Sequence, residues 1–394
     1  MTPNFEFATP ANPEQTQQLG IILSQCFNSP LSEWPVYLNR IGVENFRVIR
    51  QGGQVAGGLA IYQMGQWFGG CSVPMAGLAA VGVPPEYRGM GVAVELLTRT
   101  LLELQAKQVP ISVLYPATQY LYRQVGYEQG GTAGGFEIRL DGLRLSVNQT
   151  IRAIPMHSVT PIRHEVFHEI YRQWAVQNNG NLDRNSAIWQ SIIQPREQET
   201  IYAYLVGSPN QPSGYIIFKQ DAKEFQIVIL DWVALSAAAA QRLWMFLADH
   251  RSQIQKAVWR GAASDPFLLL LAEQTAKVRY LERWMLRIID VAKALEGRGY
   301  PMGVETELHL AVVDELLPEN NGNFVVRVSG GRGEVTRGGK GELQLNIRGL
   351  APLYTGLYTP SQLQVSGYLA GTDNAVAAAT QIFAGAEPWM PDHF

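Results

Sequence analysis

The chain has 394 residues, too many for one ordinary core, and this length predicts two or three domains. Apolar residues make up 46% and charged residues 16%, the balance of a packed globular protein rather than a disordered one. The net charge of -3 excludes the global basic field that nucleic acid or an anionic membrane would select.

The N-terminal stretch "MTPNFEFATPANPEQ" has neither a basic start nor an apolar segment, so it does not read as a signal peptide. Apolar runs such as "PFLLLLA" at 266–272 are too short to span a bilayer, and a cytoplasmic location is expected. Residues 13–28 show helical periodicity that stops near Asn28 and Pro30. Residues 46–68 read as two strands around a Gly52-Gly53 turn, and 74–83 as another strand. A helix is predicted over 89–107, with Val92, Leu96, Leu97, Thr100, Leu101 and Leu104 forming one apolar stripe. A strand at 109–116, a short helix at 118–127 and a closing strand at 134–140 complete about 140 residues, one domain's worth.

The next segment repeats this plan. It shows a helix at 166–177, a hairpin at 201–220, a strand at 225–235, a helix at 236–254 capped by Ser236, and a strand at 256–262. The turn before the long helix differs. The first copy has Arg88-Gly89-Met90-Gly91, and the second has Ser236 followed by four alanines. A third segment begins near Met285. It offers a helix at 288–299, strands in "TELHLAVVD" and "GNFVVRVSGG", mixed short elements, and a terminal helix at 373–385. The expected division is 1–150, 151–285 and 286–394.

Few residues suggest metal or thiol chemistry. Cys26 and Cys71 form neither a disulfide framework nor a metal spacing, and no histidine stands near either in sequence. His164 and His168 share an i, i+4 spacing but lack a third ligand nearby, so they read as polar positions on a helix face. No metal is expected.

The Gly-rich turn carries more. A helix N-terminus offers free N–H groups and the positive end of a dipole, glycines let the backbone approach an anion, and Arg88 adds a cation suited to phosphate oxygens. The segment lacks the Lys-Ser/Thr of a P-loop. It also follows a hairpin, without the later acid that a dinucleotide fold requires. Taken alone, it fits equally a phosphate cradle and a helix that merely starts with glycines.

The context resembles the GNAT superfamily of N-acetyltransferases, whose turn motif Arg/Gln-x-x-Gly-x-Gly/Ala is matched by Arg88, Gly91 and Ala93. The whole chain is similar to the Eis (enhanced intracellular survival) family. The likeness rests on that turn, on "LYRQVGY" (121–127), on "IIDVAKALEGRGY" (288–300) and on the aromatic last residue. It implies an α+β (mixed α/β) chain of two tandem GNAT folds, the second degenerate, followed by a sterol-carrier-protein-2-like α+β domain. It implies acetyl-CoA held by backbone groups of Gly89, Met90, Gly91, Val92, Ala93 and Val94, with Ala117 and Thr118 nearby. Val81, Gly82 and Val83 would pair with the pantetheine arm, Gly82 suiting a strand bulge and the Val83 N–H polarising the thioester carbonyl.

The resemblance also implies Tyr122 as proton donor to the departing thiolate, with Tyr127 structural. The carboxylate of Phe394 would be the proton acceptor, on a tail anchored by Trp389 and Met390 and stiffened by Pro388 and Pro391. The implied acceptors are primary amines of polyamine-like molecules such as aminoglycosides, lined by Phe27, Glu33, Trp34 and Tyr37. Asn28-Ser29 and His393 stand where acids are familiar, which predicts a less acidic pocket. Protein lysine is an alternative acceptor, lipid binding by the third domain an alternative function, and a hexamer the implied assembly. No nucleic-acid or membrane partner is expected.

Overall fold

The computed structural model describes residues 5–143, 148–195 and 199–394. It divides into two compact units. One comprises 1–131, 284–386 and Phe394, and the other 132–283 and 387–393. The expected first and third domains therefore pack as one unit, apart from residues 132–150 and 387–393.

The first segment contains β1 (Glu6–Ala8), α1 (Pro13–Phe27), α2 (Trp34–Ile41), β2 (Phe46–Gln51), β3 (Gln54–Phe68), β4 (Cys71–Gly82), α3 (Val92–Ala106), β5 (Ile111–Leu114), α4 (Gln119–Arg123) and β6 (Glu128–Arg139). The strand order is β1-β2-β3-β4-β5, antiparallel except for the parallel pair β4–β5. Local chemistry sets the ends of α1. Asn12 caps its start by accepting from the Gln15 N–H at 2.9 Å, Pro13 occupies its first turn, and Asn28 closes it in the left-handed region at φ 50°. The predicted stripe of α3 is the buried one, and it packs with Leu59, Ile61, Ala76 and Leu78. Arg47 of β2 holds Glu103 of α3 through Nε–Oε2 at 2.6 Å, and holds its carboxyl down to about 2. Helix α3 begins at Val92, so the glycines lie outside it. Strand β6 begins at Glu128, six residues before the predicted closing strand.

The second segment contains α5 (Gln149–Arg152), β7 (Met156–Ser158), α6 (Glu165–Ala175), β8 (Leu182–Asp183), α7 (Ser186–Ile193), β9 (Ile201–Ser208), β10 (Gln211–Asp221), β11 (Gln226–Ala234), α8 (Ala237–Asp249), β12 (Lys256–Gly261) and β13 (Lys277–Ile288). Strands β7, β9, β10, β11 and β12 and the end of β6 form its sheet, with β11–β12 again parallel. His164 and His168 both pack their rings on Trp189, at 6.2 and 6.3 Å between centroids.

Residues 387–393 are built into this unit. The Trp389 N–H donates to Asn179 O at 2.9 Å and the Met390 N–H to Thr132 O at 3.1 Å. Arg184 is buried between Asp231 and Asp392, with its guanidinium 3.6 Å from the Tyr171 ring centroid.

Strand β13 has no counterpart in the sequence reading. Its last residues, Met285 to Ile288, pair antiparallel with β5 in the first unit. The third segment follows with α9 (Val291–Gly297), β14 (Thr306–Val313), β15 (Gly322–Ser329), β16 (Arg332–Arg337), β17 (Leu343–Asn346), α10 (Ile347–Thr355), α11 (Pro360–Val365), β18 (Leu369–Gly371) and α12 (Asp373–Ile382). Its sheet has the order β16-β15-β14-β17-β18. The buried pair Arg287–Asp314, at 2.8 Å, joins β13 to the end of β14.

No helix among the described residues is long and apolar enough to cross a membrane. No described group of three or more His, Cys, Asp and Glu is placed to hold a metal ion.

Candidate active site

Strands β4 and β5 pair in parallel at Met75–Ile111, Ala76–Ser112 and Gly77–Val113. Beyond Gly77, β4 continues for five residues, whereas β5 stops at Leu114. The pairing of β4 with β3 also changes there. Ala60 faces Ala79 and Gly58 faces Gly82, so β4 holds one extra residue, and Ala80 has φ 50°. The expected bulge exists, but its left-handed residue is Ala80 and not Gly82. Gly82 answers a packing demand instead: a Cβ there would lie 2.7 Å from Leu23 of α1. Val81 and Val83 are half-buried beside it.

The chain then turns through Pro84–Arg88 into α3. Gly89 has φ 76° and Gly91 φ 79°, and a Cβ on either would meet open space. Backbone conformation, not crowding, therefore requires glycine at both positions. Gly91 occupies the N-cap position, and no side chain caps the helix. The first helical backbone bond is donated by the Glu95 N–H, to Gly91 O at 3.0 Å, which leaves the N–H groups of Val92, Ala93 and Val94 for a ligand or water. Gly89, Met90 and Gly91 are exposed. Arg88 is also exposed, and it ties the turn to β4: its Nε donates to Val83 O at 3.0 Å, the oxygen that Cys26 Sγ also approaches at 3.5 Å. This cluster of Cys26, Val83 and Arg88 joins two distant stretches of sequence.

After β5, Ala117 and Thr118 lie exposed in the loop, with Thr118 at the N-cap of α4. Tyr122 is 5% exposed and sits in the apolar cluster with Ala76, Leu78, Leu96 and Leu114. Burial pushes its phenol up to about 12. Tyr127 is wholly buried, and its hydroxyl shares a 2.7 Å hydrogen bond with Ser112 Oγ, which donates to Ala76 O at 2.8 Å.

Phe394 occupies the opposite face of the sheet. Its ring lies 5.6 Å from that of Tyr62 and 6.3 Å from that of Tyr115. A Cβ on Gly77 would come within 2.6 Å of Phe394 Cε2, so the missing side chain makes the ring's seat. Tyr62 stands directly across the β3–β4 ladder from Gly77. Adjacent residues of a strand point to opposite faces. Tyr122, clustered with Ala76, and Phe394, seated on Gly77, therefore meet the end of the β4–β5 pairing from either side.

The acceptor candidates are distributed unevenly. Phe27 is 50% exposed at the end of α1, and Glu33 is exposed. Trp34 is half-buried and packed, 5.3 Å from the Phe46 ring and against Gly20, where a Cβ would meet the indole at 2.6 Å. Tyr37 joins the same aromatic group, with the Arg40 guanidinium 5.3 Å from its ring centroid. Gly77, Tyr62, Tyr115 and Arg40 were not singled out by sequence reasoning. Of these, only Gly77, a glycine inside a strand, carries a local signal of close approach.

The second copy is a control within the same chain. Parallel pairing of β11 and β12 ends at Val228–Val258. The fourth residue on from this last pair is Trp232, where the first copy has Val81, and the first residue after Val258 is Trp259, where the first copy has Leu114. Trp232, Trp244 and Trp259 pack together at 5.2–5.7 Å and fill the space that β11 and β12 diverge around. Helix α8 is capped by Ser236, whose Oγ accepts from the Ala239 N–H at 3.2 Å. The second copy thus consumes both features that the first copy leaves open.

Comparison with known proteins agrees with this arrangement. The acetyltransferase (GNAT) domain family matches residues 8–130 and again 180–288, and the sterol carrier protein domain family matches 291–391. A solved GCN5-related N-acetyltransferase from Anabaena variabilis is 51% identical, with a TM-score of 0.96 over 99% of this chain and 100% of that one. An uncharacterized N-acetyltransferase from Streptomyces avermitilis is 26% identical over 353 residues, 83% of each chain. The N-acetyltransferase Eis of Mycobacterium tuberculosis is 24% identical over 316 residues, covering 77% of this chain and 76% of that one.

Proposed function

The chain belongs to the GCN5-related N-acetyltransferases, within the Eis family, and we propose that its first domain moves acetyl from acetyl-CoA to a primary amine by direct attack in a ternary complex. The observation that carries this reading is the uncapped start of α3 beside the β4–β5 divergence, set against the capped and tryptophan-filled equivalent in the second copy.

In this reading the N–H groups from Gly89 to Val94 hold the pyrophosphate at the positive end of α3. Arg88 braces the turn through Val83 O, and the Val83 N–H polarises the thioester carbonyl. Ala117 and Thr118 flank the cofactor on the β5 side. The amine nitrogen attacks the carbonyl carbon, the C–S bond breaks, and the electron pair leaves on sulfur.

Tyr122 faces that sulfur as a neutral donor. Its phenol near 12 lies about 3.5 units above an ordinary thiol, so complete proton transfer would cost roughly 5 kcal/mol. Tyr122 therefore stabilises the departing thiolate chiefly by a hydrogen bond, and solvent supplies the final proton. The Phe394 carboxylate, with an ordinary value near ~3.5, is too weak to strip an ammonium alone. It orients the ammonium and relays its proton through water.

Polyamine-like acceptors such as aminoglycosides head the candidate acceptors, with protein lysine as the alternative, and a homohexamer is the expected assembly. The deciding experiment offers acetyl-CoA with aminoglycosides, polyamines and lysine peptides and follows thiol release. Turnover with at least one amine is expected. Acetyl-CoA binding without turnover on any amine would sink the proposal, and light scattering tests the six-chain assembly.

A further inference from the structure

Helix α4 has five residues and no side-chain N-cap. One turn of helix is too short to hold its own geometry, so whatever aims Tyr122 must come from outside it. Both ends of α4 are tied to the first two residues of β6. At one end, Gln119 Oε1 accepts from Gln129 Nε2 at 3.2 Å. At the other, Arg123 grips Glu128 through Nη2–Oε1 at 2.7 Å and Nε–Oε2 at 3.0 Å.

Both β6 residues are held in turn by the third segment, within the same compact unit. Arg348, in the first turn of α10, donates from Nη2 to Glu128 Oε2 at 2.7 Å. The Tyr368 hydroxyl donates to the same oxygen at 2.9 Å and accepts from Arg348 Nη2 at 2.8 Å. The Tyr358 hydroxyl donates to Gln129 Oε1 at 3.0 Å. Glu128 is only 4% exposed. Burial opposes its charge, yet the bonds from Arg123 and Arg348 hold its carboxyl below the ordinary value. Two independent links thus run from the third segment to the two ends of the helix that carries Tyr122.

We infer that Arg348, Tyr368 and Tyr358 are positioning residues, which fix α4 through Glu128 and Gln129 and so aim the Tyr122 hydroxyl. This rests on Tyr122 acting as the hydrogen-bond donor to the departing thiolate. It gives the sterol-carrier-like domain a part in the acetyl transfer without contact with either substrate.

The test is a double-mutant cycle on the full chain, with Arg348→Met and Tyr122→Phe singly and together. Arg348→Met leaves Glu128 paired with Arg123. Its kcat is expected to fall about tenfold, while KM for acetyl-CoA stays within about twofold. Arg348→Lys should recover part of the loss. In the Tyr122→Phe background, Arg348→Met should change kcat by less than about twofold, because there is no longer a donor to aim. Equal losses in both backgrounds would mark Arg348 as merely structural and overturn the inference, as would an unchanged kcat in Arg348→Met. Full kcat in Tyr122→Phe alone would remove the donor reading and the clamp with it. If Arg348→Met does not fold, the same cycle with Tyr358→Phe, which deletes one hydroxyl, decides the question with an expected loss of about threefold.

Discussion

Gly91 offers the sharpest test of the phosphate cradle, because its two possible roles separate cleanly. Its φ is 79°, and a Cβ there would meet open space beyond its chain neighbours among the described residues. A substitution there clashes with nothing and is charged only for the left-handed backbone, roughly 1–2 kcal/mol for alanine, less for asparagine and more for valine. If that conformation is what turns the N–H groups toward the pyrophosphate, relaxing the backbone to escape the strain loses the ligand. The strain then appears as weaker binding, about 5- to 30-fold for Gly91→Ala, since 1.4 kcal/mol is tenfold. If the turn keeps its shape, the same energy appears as a lower Tm. The assay is isothermal titration of acetyl-CoA into Gly91→Asn, Gly91→Ala and Gly91→Val, with a melting curve for each. The expected order of dissociation constants is wild type, Asn, Ala, Val. Wild-type affinity in Gly91→Val, at unchanged Tm, would refute both the strain argument and the cradle.

Other outcomes follow from the same geometry. Tyr122→Phe should lower kcat with little change in acetyl-CoA affinity, and Tyr122 should place no falling limb on the pH–rate profile below about pH 11, because its phenol titrates near 12. A limb near pH 9 that vanishes in Tyr122→Phe would contradict this. A peptide tag fused after Phe394 should lower turnover but spare cofactor binding, whereas a fully active tagged enzyme would remove the terminal carboxylate from the mechanism. Glu103 is held down to about 2 by Arg47, so it adds stability above its ordinary value of 4.5 that is lost as pH falls toward 2. Urea midpoints across that window should flatten in Glu103→Gln. Trp232→Ala should cost about 3–5 kcal/mol of stability, as for other buried aromatics. It should leave acetyl-CoA stoichiometry at one per chain, since α8 stays capped by Ser236.

Local chemistry made much of the first copy legible. The Ser236 cap, the Gly52-Gly53 hairpin and the α3 stripe are each written within a few residues, and each stands where the sequence put it. The Arg88–Ala93 turn was legible for the same reason, because left-handed glycines before a helix are a local demand. Comparing it with the second copy sharpened that reading without any structure. What the sequence could not supply was anything set by residues far apart along the chain. Strand β13 is exposed over its first five residues and buried over its last five, so it shows neither alternation nor one continuous apolar run. Its pairing with β5 and β6 is what makes it a strand. The bulge fell on Ala80, while Gly82 answers to α1, which claims the space above it. The seat for Phe394 depends on Gly77 and Tyr62 facing each other across two strands, and the hold on α4 joins residues some 220 positions apart in Glu128 and Arg348. Backbone preference is a property of a few neighbouring residues and can be read from them. Packing and charge pairing depend on which distant residues the fold brings together, and tertiary structure alone decides that.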